Sequence, residues 1–366
     1  MKISPKVVGV ILLGLTFSAL VFCGLTYLLI GDQLIDLGKT TLLSISLSLH
    51  KDELNAPIGD DPTPRRFTIY SGDNAVTIGQ RLEEDGFITD AGLFVDYAQL
   101  KKLDVELEAG TYFLNATMNI KQIAFALTDS RFSQIEFTII PGQRLEEVAE
   151  SIDANPLFNF SGADFLLVVG RGSPIAALFA QEMGIPAGAS LEGFLYPDTY
   201  SLPPEVDPAM LRDILLEGFD NAVTEELRAQ ATEQGYTMYQ MVTLASIVER
   251  EAIHEDEQSL IASVYRNRLE TEGWRLEADP TVQYALGAAG DWWPHISYSD
   301  YQGVISDYNT YVNYGFPPGP IANPGLSAIQ AAINPATSNY YFFRADCRAD
   351  GYHDFSETFD EHANRC

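Results

Sequence analysis

Residues 190–203 read SLEGFLYPDTYSLP. Glu192 stands one residue before Gly193, within a run of Leu191, Phe194, Leu195, Tyr196 and Tyr200. Pro197 and Pro203 rule out a long helix or a central strand. The stretch is therefore a compact, turn-rich segment that carries apolar side chains into a core. An unpaired carboxylate is expensive there. The same surroundings disfavour its charged form and raise its pKa. Glycosidic bond cleavage needs a carboxylic acid that stays protonated near neutral pH, and Glu192 suits that role. The structural alternative is a glutamate paired with an arginine or capping a backbone turn.

Downstream of this stretch the chain reads as mostly helical. Thr237 and Gln240 form a T-x-x-Q capping box before MVTLASIVERE. Met241, Leu244, Ala245 and Val248 share one helical face. At about 100° per residue, Glu249 and Glu251 fall on its flanks and Arg250 points away. A second helix is expected from about Asp256 to Glu270, with Gly273 as its stop. Asn323 and Pro324 fit the N-cap and first turn of a helix through Ile333, and YYFFRA reads as a strand. The loops between are rich in Tyr, Asn, Pro and Gly, and they suit hydrogen bonding to and stacking on a polar, ring-shaped ligand.

Upstream lies an internal echo. FTIYSGDNAVTIGQRL begins at Phe67 and FTIIPGQRLEEVAESI at Phe137. Each reads as a strand, a glycine turn at Gly72 or Gly142, and a helix. The inward residues are Val76, Ile78 and Leu82 in the first, and Leu145, Val148 and Ile152 in the second. Such a unit is either a small carbohydrate-binding module or an ordinary βα unit. Before it, NAPIGDDPTP reads as a linker.

Val7 to Ile30 carries no charge. At about 1.5 Å per residue it spans roughly 36 Å, enough for a hydrocarbon core of about 30 Å. Lys2 and Lys6 precede it and Asp32 and Asp36 follow, which puts the N-terminus in the cytoplasm and the rest outside. Its length and the lack of a small-residue cleavage site favour an uncleaved anchor over a signal peptide. The net charge of −29 argues against a nucleic-acid partner. Cys347 and Cys366 either pair in an extracytoplasmic space or stay free. Five scattered histidines give no zinc-site spacing.

Five motifs in order, LEGFLYPDTY, LASIVERE, ADPTVQYALG, YNTY and GFPPGPIANPGLSAIQAAINP, resemble the YceG-like family over roughly residues 66–366. The resemblance implies an α+β fold: a single N-terminal transmembrane helix, a LysM-like module, then a mixed α+β catalytic domain. The boundaries are 1–30 for cytoplasmic tip and anchor, 31–65 for a juxtamembrane linker, 66–135 for the LysM-like module and 136–366 for the catalytic domain. The implied activity is that of a membrane-anchored endolytic lytic transglycosylase. It cleaves the MurNAc–GlcNAc β-1,4 bond within peptidoglycan strands, leaves 1,6-anhydro-MurNAc ends and terminates nascent strands. Glu192 matches the family's catalytic glutamate. Asp198, Tyr200, Glu249, Asp279, Asn309, Tyr311 and Asn323 match motif positions and are expected to line the groove. Glu277 and Asp307 depart from the family pattern, which more often has Gln and Pro there, and both add negative charge. The implied partners are glycan strands and membrane-bound peptidoglycan synthases. Neither a metal nor an organic cofactor is implied.

Three rival readings remain at this level. A muramidase would need a second carboxylate, and Glu249 is the best candidate. A non-enzymatic peptidoglycan-binding scaffold would use the anchor and module equally well. A pyridoxal-phosphate lyase would need a Schiff-base lysine, and no lysine lies beyond Lys121.

Overall fold

The computed structural model describes residues 36–365, a mixed α+β protein of many helices and three two-stranded sheets among the described residues. It forms two compact units, one ending at Gln134 and the other beginning at Ile135. The apolar stretch Val7–Ile30 and Cys366 lie outside the described residues. Among the described residues no helix is long and apolar enough to cross a membrane.

In the first unit, β1 (Arg65–Ile69) pairs antiparallel with β2 (Gly110–Leu114), with Phe67 opposite Tyr112. Between them run the helices Ala75–Glu84 and Ala91–Lys101. Asn74 starts the first helix through a capping box with Thr77. Gly79 lets the two helices approach, because a Cβ there would meet Ala91 O and Phe94 Cδ1 at 3.1 Å. The core gathers Phe67, Ile78, Leu82, Phe87, Phe94, Leu114 and Ile123. Ile78 and Leu82 are inward as the periodicity predicts, whereas Val76 is exposed and Ala75 takes the buried place.

The stretch read as a linker is largely helical, over residues 36–49 and Lys51–Asn55. Leu47 and Leu54, one heptad apart, bury themselves in this core. Their apolar face outweighs the turn formers that follow; among the described residues of this stretch, the turn at His50 and residues 56–64 lack a helix or strand.

The second unit is built around the helix Met238–Glu251, started by the Thr237–Gln240 capping box. Every residue from Met241 to Val248 is buried, so this helix is enclosed on all sides rather than amphipathic. Against it pack the helices Glu255–Glu270, Leu326–Ile333 and Asp279–Leu286. Ser246 Oγ accepts from Ile321 N at 3.0 Å and so draws the proline-rich loop 315–325 onto the central helix. The second echo folds as read: β3 (Ile135–Thr138), Gly142 at φ 86°, then the helix Leu145–Ala154 with Leu145, Val148 and Ile152 buried. β3 pairs antiparallel with β4 (Thr199–Leu202), and β5 (Phe342–Ala345) with β6 (His353–Ser356).

Two local expectations change. The last helix of the core starts at Leu326 with Gly325 as N-cap, not Asn323. Arg250 does not point away: it is half-buried, with its guanidinium 3.8 Å from the Trp293 ring centroid. The indole face offers the cation a better surface than its own helix flank does.

Candidate active site

Glu192 is buried, with 1% of its surface exposed. Its turn lies just before β4 and is held by the loop 315–325. Gly193 has φ 87°, and a Cβ there would sit 2.6 Å from Pro320 Cβ and 2.7 Å from Val242 Cγ1. Only glycine meets both demands. Gly193→Ala is therefore expected to lower stability by about 3 kcal/mol, from left-handed strain plus overpacking. A denaturant titration would check this, and an unchanged midpoint would refute it.

Asn323 clamps the same turn. Its Oδ1 accepts from Gly193 N at 3.0 Å and Leu195 N at 3.1 Å, and its Nδ2 donates to Gln143 O at 3.0 Å. One side chain thus ties the Glu192 turn to the glycine turn of the second echo. That turn leads into the helix Leu145–Ala154, whose first N–H, on Leu145, donates to both carboxylate oxygens of Glu192 at 3.2 Å. Helix N-termini present such unpaired donors. From another side, Tyr284 donates its hydroxyl to Glu192 Oε2 at 3.4 Å.

Arg144 organises the surroundings. It is buried, pairs with Glu146 at 2.6 Å, donates to Tyr284 O at 3.3 Å and lies 4.0 Å over the Tyr284 ring. Burial pushes the Glu192 carboxyl up to about 8, and the Glu146 charge adds to this. The Leu145 N–H, the Arg144 charge and the Tyr284 hydroxyl pull the other way and do not overcome it. Glu192 is thus a protonated acid at neutral pH, with donors already in place for the anion it becomes.

Aromatic rings border the acid. Tyr284 lies 4.8 Å from Tyr308 and 6.4 Å from Trp293, centroid to centroid. Trp292 and Trp293 donate to Glu150 and Glu147 at 2.8 and 2.9 Å. Next to Ser190, a cleft of about 220 Å³ is lined by Arg171, Tyr239, Tyr308 and Pro318. Rings and polar groups of this kind suit a sugar chain. Among the described residues, no group of three or more His, Cys, Asp and Glu side chains could hold a metal ion.

The other motif residues take varied places. Asp198 is exposed; its Oδ1 accepts from Thr199 N at 2.7 Å, and its carbonyl accepts from Ile139 N at 3.0 Å. Tyr200 donates to Tyr196 O at 2.6 Å. Glu249 is half-buried and accepts from Gly325 N at 3.0 Å. It therefore caps the helix Leu326–Ile333 and does not touch Glu192. Asn309 is buried and folds its own loop, donating to Tyr301 O and Val304 O at 3.1 and 2.9 Å. Asp279 accepts from the hydroxyls of Tyr311 and Tyr301 and lines a separate cavity with Tyr311. Glu277 lines that cavity too, and Asp307 is exposed. Of the motif residues, only Asn323 joins the Glu192 turn directly. Sequence reasoning missed Arg144, Glu146 and Tyr284. The signal was the R-x-E placed immediately after the second glycine turn, which passes for an ordinary charged helix start.

Comparison with known proteins shows the family. The model of the YceG-like family matches residues 67–366. A Bacillus subtilis (strain 168) protein named endolytic murein transglycosylase is 30% identical over 317 residues, covering 83% of this chain and 84% of that protein. A Streptococcus pneumoniae protein of the same name is 28% identical over 324 residues, 81% of this chain and 58% of that longer protein. The crystal structure of a yceG-like protein from Listeria monocytogenes superposes with a TM-score of 0.55 at 31% identity, covering 82% of this chain and 98% of that one.

Proposed function

The chain belongs to the YceG-like family, and from that premise we propose that it is a membrane-anchored endolytic transglycosylase with Glu192 as its catalytic acid and base. A lytic transglycosylase activity on peptidoglycan is supported by the named activity of relatives that cover four-fifths of the chain. The observation that carries the role of Glu192 is its buried carboxyl, pushed up to about 8, which faces donors for its anion.

In the first step Glu192 gives its proton to the glycosidic oxygen as the bond from the muramyl C1 breaks. The carboxylate left behind is received by the Leu145 N–H and the Tyr284 hydroxyl. In the second step it takes the proton of the muramyl C6 hydroxyl, whose oxygen bonds to C1 and closes the 1,6-anhydro ring. Protons balance and no water is consumed, so no second carboxylate has to activate one. The muramidase reading lacks such a base at Glu249, which is occupied by Gly325 N–H. Glu146 is held by Arg144.

The remaining parts follow from the family. Val7–Ile30 is the anchor, with the enzyme on the outer face of the plasma membrane. The β-α-α-β arrangement of residues 65–114 supports the LysM-like module that would hold glycan. Cys347 is disulfide-bonded, as an extracytoplasmic domain allows. Acting beside membrane-bound synthases, the enzyme would cut strands as they emerge and set their length.

The test is mass spectrometry of the products from purified peptidoglycan. Internal fragments ending in 1,6-anhydro-muramic acid are expected. Reducing ends, heavier by one water, would make it a hydrolase. No fragments at all, with glycan binding retained, would make it a scaffold.

A further inference from the structure

The helix Asp279–Leu286 has two uses. Tyr284 reaches Glu192, while Asp279, at its start, faces a different cavity of about 510 Å³. Its charged lining is Glu251, Glu277 and Asp279 with Arg268 and Arg344, and Arg268 lies 3.9 Å from Glu277. Glu251 is half-buried in its wall, and its nearest partner is the Tyr265 hydroxyl. Asp279 is close enough to act on Glu251 as a like charge, and the Arg268 charge only partly offsets it. The Arg268 guanidinium is itself committed to Tyr341 O and Leu276 O. The rings of Tyr301 and Tyr311 stack at 4.3 Å beside the two carboxylates. His362 also lines the space, and its Nδ1 is buried without a hydrogen-bond partner among the described residues. Burial, then the Arg344 and Arg268 charges, disfavour protonation of that imidazole, and its unpartnered Nδ1 can accept.

Three carboxylates against two arginines leave the cavity an excess of negative charge, and with the tyrosine rings and the His362 acceptor this favours a ligand that brings a cation with N–H donors. A primary ammonium meets the carboxylates by charge-assisted hydrogen bonds and the tyrosine rings by cation–π attraction. A bare metal ion does not fit as well, since no three of these groups converge as ligands among the described residues. The geometry points to the peptide stem of the glycan strand, and we propose that this cavity binds the side-chain ammonium of its diamino acid. The proposal rests on the transglycosylase reading. Reach supports it. Tyr284 lies about 7.5 Å along the helix from Asp279, at about 1.5 Å per residue. A stem of three or four extended residues spans about 10–14 Å. A stem of that length exceeds the spacing of Tyr284 and Asp279 along the helix that serves both places.

The experiment is calorimetric titration of the full chain in detergent with a lysine-containing stem tetrapeptide, its N-terminus acetylated. The comparison ligand is the same peptide with the lysine Nε also acetylated. The free amine is expected to bind about tenfold or more tightly than the blocked one. Glu251→Gln should remove most of that difference while leaving the blocked peptide's affinity unchanged. Equal affinities, or no binding of either peptide, would overturn the proposal, and the wild-type comparison decides this even if the variant fails to fold. A preference for the free amine that Glu251→Gln leaves intact would place the amine elsewhere and overturn it too. The readout needs no glycan cleavage. An inactive enzyme that still selects the amine would count against the transglycosylase reading and not against this site.

Discussion

Glu192→Gln should lose about 10²–10⁴-fold or more in cleavage rate while gaining stability, a combination that separates a catalytic acid from a structural one. General acid–base transfer contributes rate factors of that size. Here one residue serves both proton transfers, so both steps fail together. The amide keeps the shape of the acid. Its oxygen still accepts from Leu145 N, which lies 3.2 Å from both carboxylate oxygens in the wild type. Product counting on purified peptidoglycan, beside a thermal melt, measures both effects. A variant that cuts at the wild-type rate would remove Glu192 from the mechanism.

The stability gain has a sign that depends on pH. Burial raises the Glu192 carboxyl from 4.5 to about 8. The unfolded chain therefore releases this proton near 4.5, whereas the folded protein holds it to about 8. Folding is penalised increasingly across that window, and the penalty levels off above it. At pH 7 the penalty is on the order of 3 kcal/mol, and the glutamine variant escapes it. The variant should melt about 5–10 °C above the wild type at pH 7–8 and level with it at pH 4. A difference that does not change between pH 4 and pH 8 would contradict the raised carboxyl. Wild-type kcat/KM should fall about tenfold per pH unit above 8, because the acid is then spent before substrate arrives.

Local signals in the sequence were legible where one element settles them. The Thr237–Gln240 box, the two strand–glycine–helix units and the apolar collar of Glu192 all depend on neighbours within a turn or two. What escaped needs partners distant in the chain. Arg144 looks like a solvated helix start until Tyr284 and Trp292 cover it. Glu249 looks like a second carboxylate for catalysis until Gly325 N–H is found against it. Asn323 looks like an N-cap because Pro324 follows, yet its amide is drawn to Gly193 and Leu195 by two backbone donors that nothing else satisfies. In each case a buried polar group had to be paired, and only the fold decides with what.

Asn323→Ala should therefore act at a distance on Glu192. The alanine leaves the Gly193 and Leu195 N–H groups, each donating to Asn323 Oδ1 within 3.1 Å, without an acceptor in a fully buried place. Each orphaned donor costs about 1–3 kcal/mol, so a loss of about 2–6 kcal/mol is expected. Gln143 O suffers less, because it also accepts from the Asn323 backbone N–H at 2.8 Å. The larger consequence is positional. Gly193 and Leu195 flank the apolar turn that presents Glu192 to Leu145 N. Releasing them lets the acid shift by a fraction of its hydrogen-bond length, and misplacement by about 1 Å lowers rates by about 10²-fold. Denaturant midpoint and cleavage rate should fall together, with the wild-type pattern of product ends retained. Replacing Asn323 with no loss of either would mean that the turn is held by its apolar side chains alone, and that the asparagine in the IANPG motif serves something other than the acid.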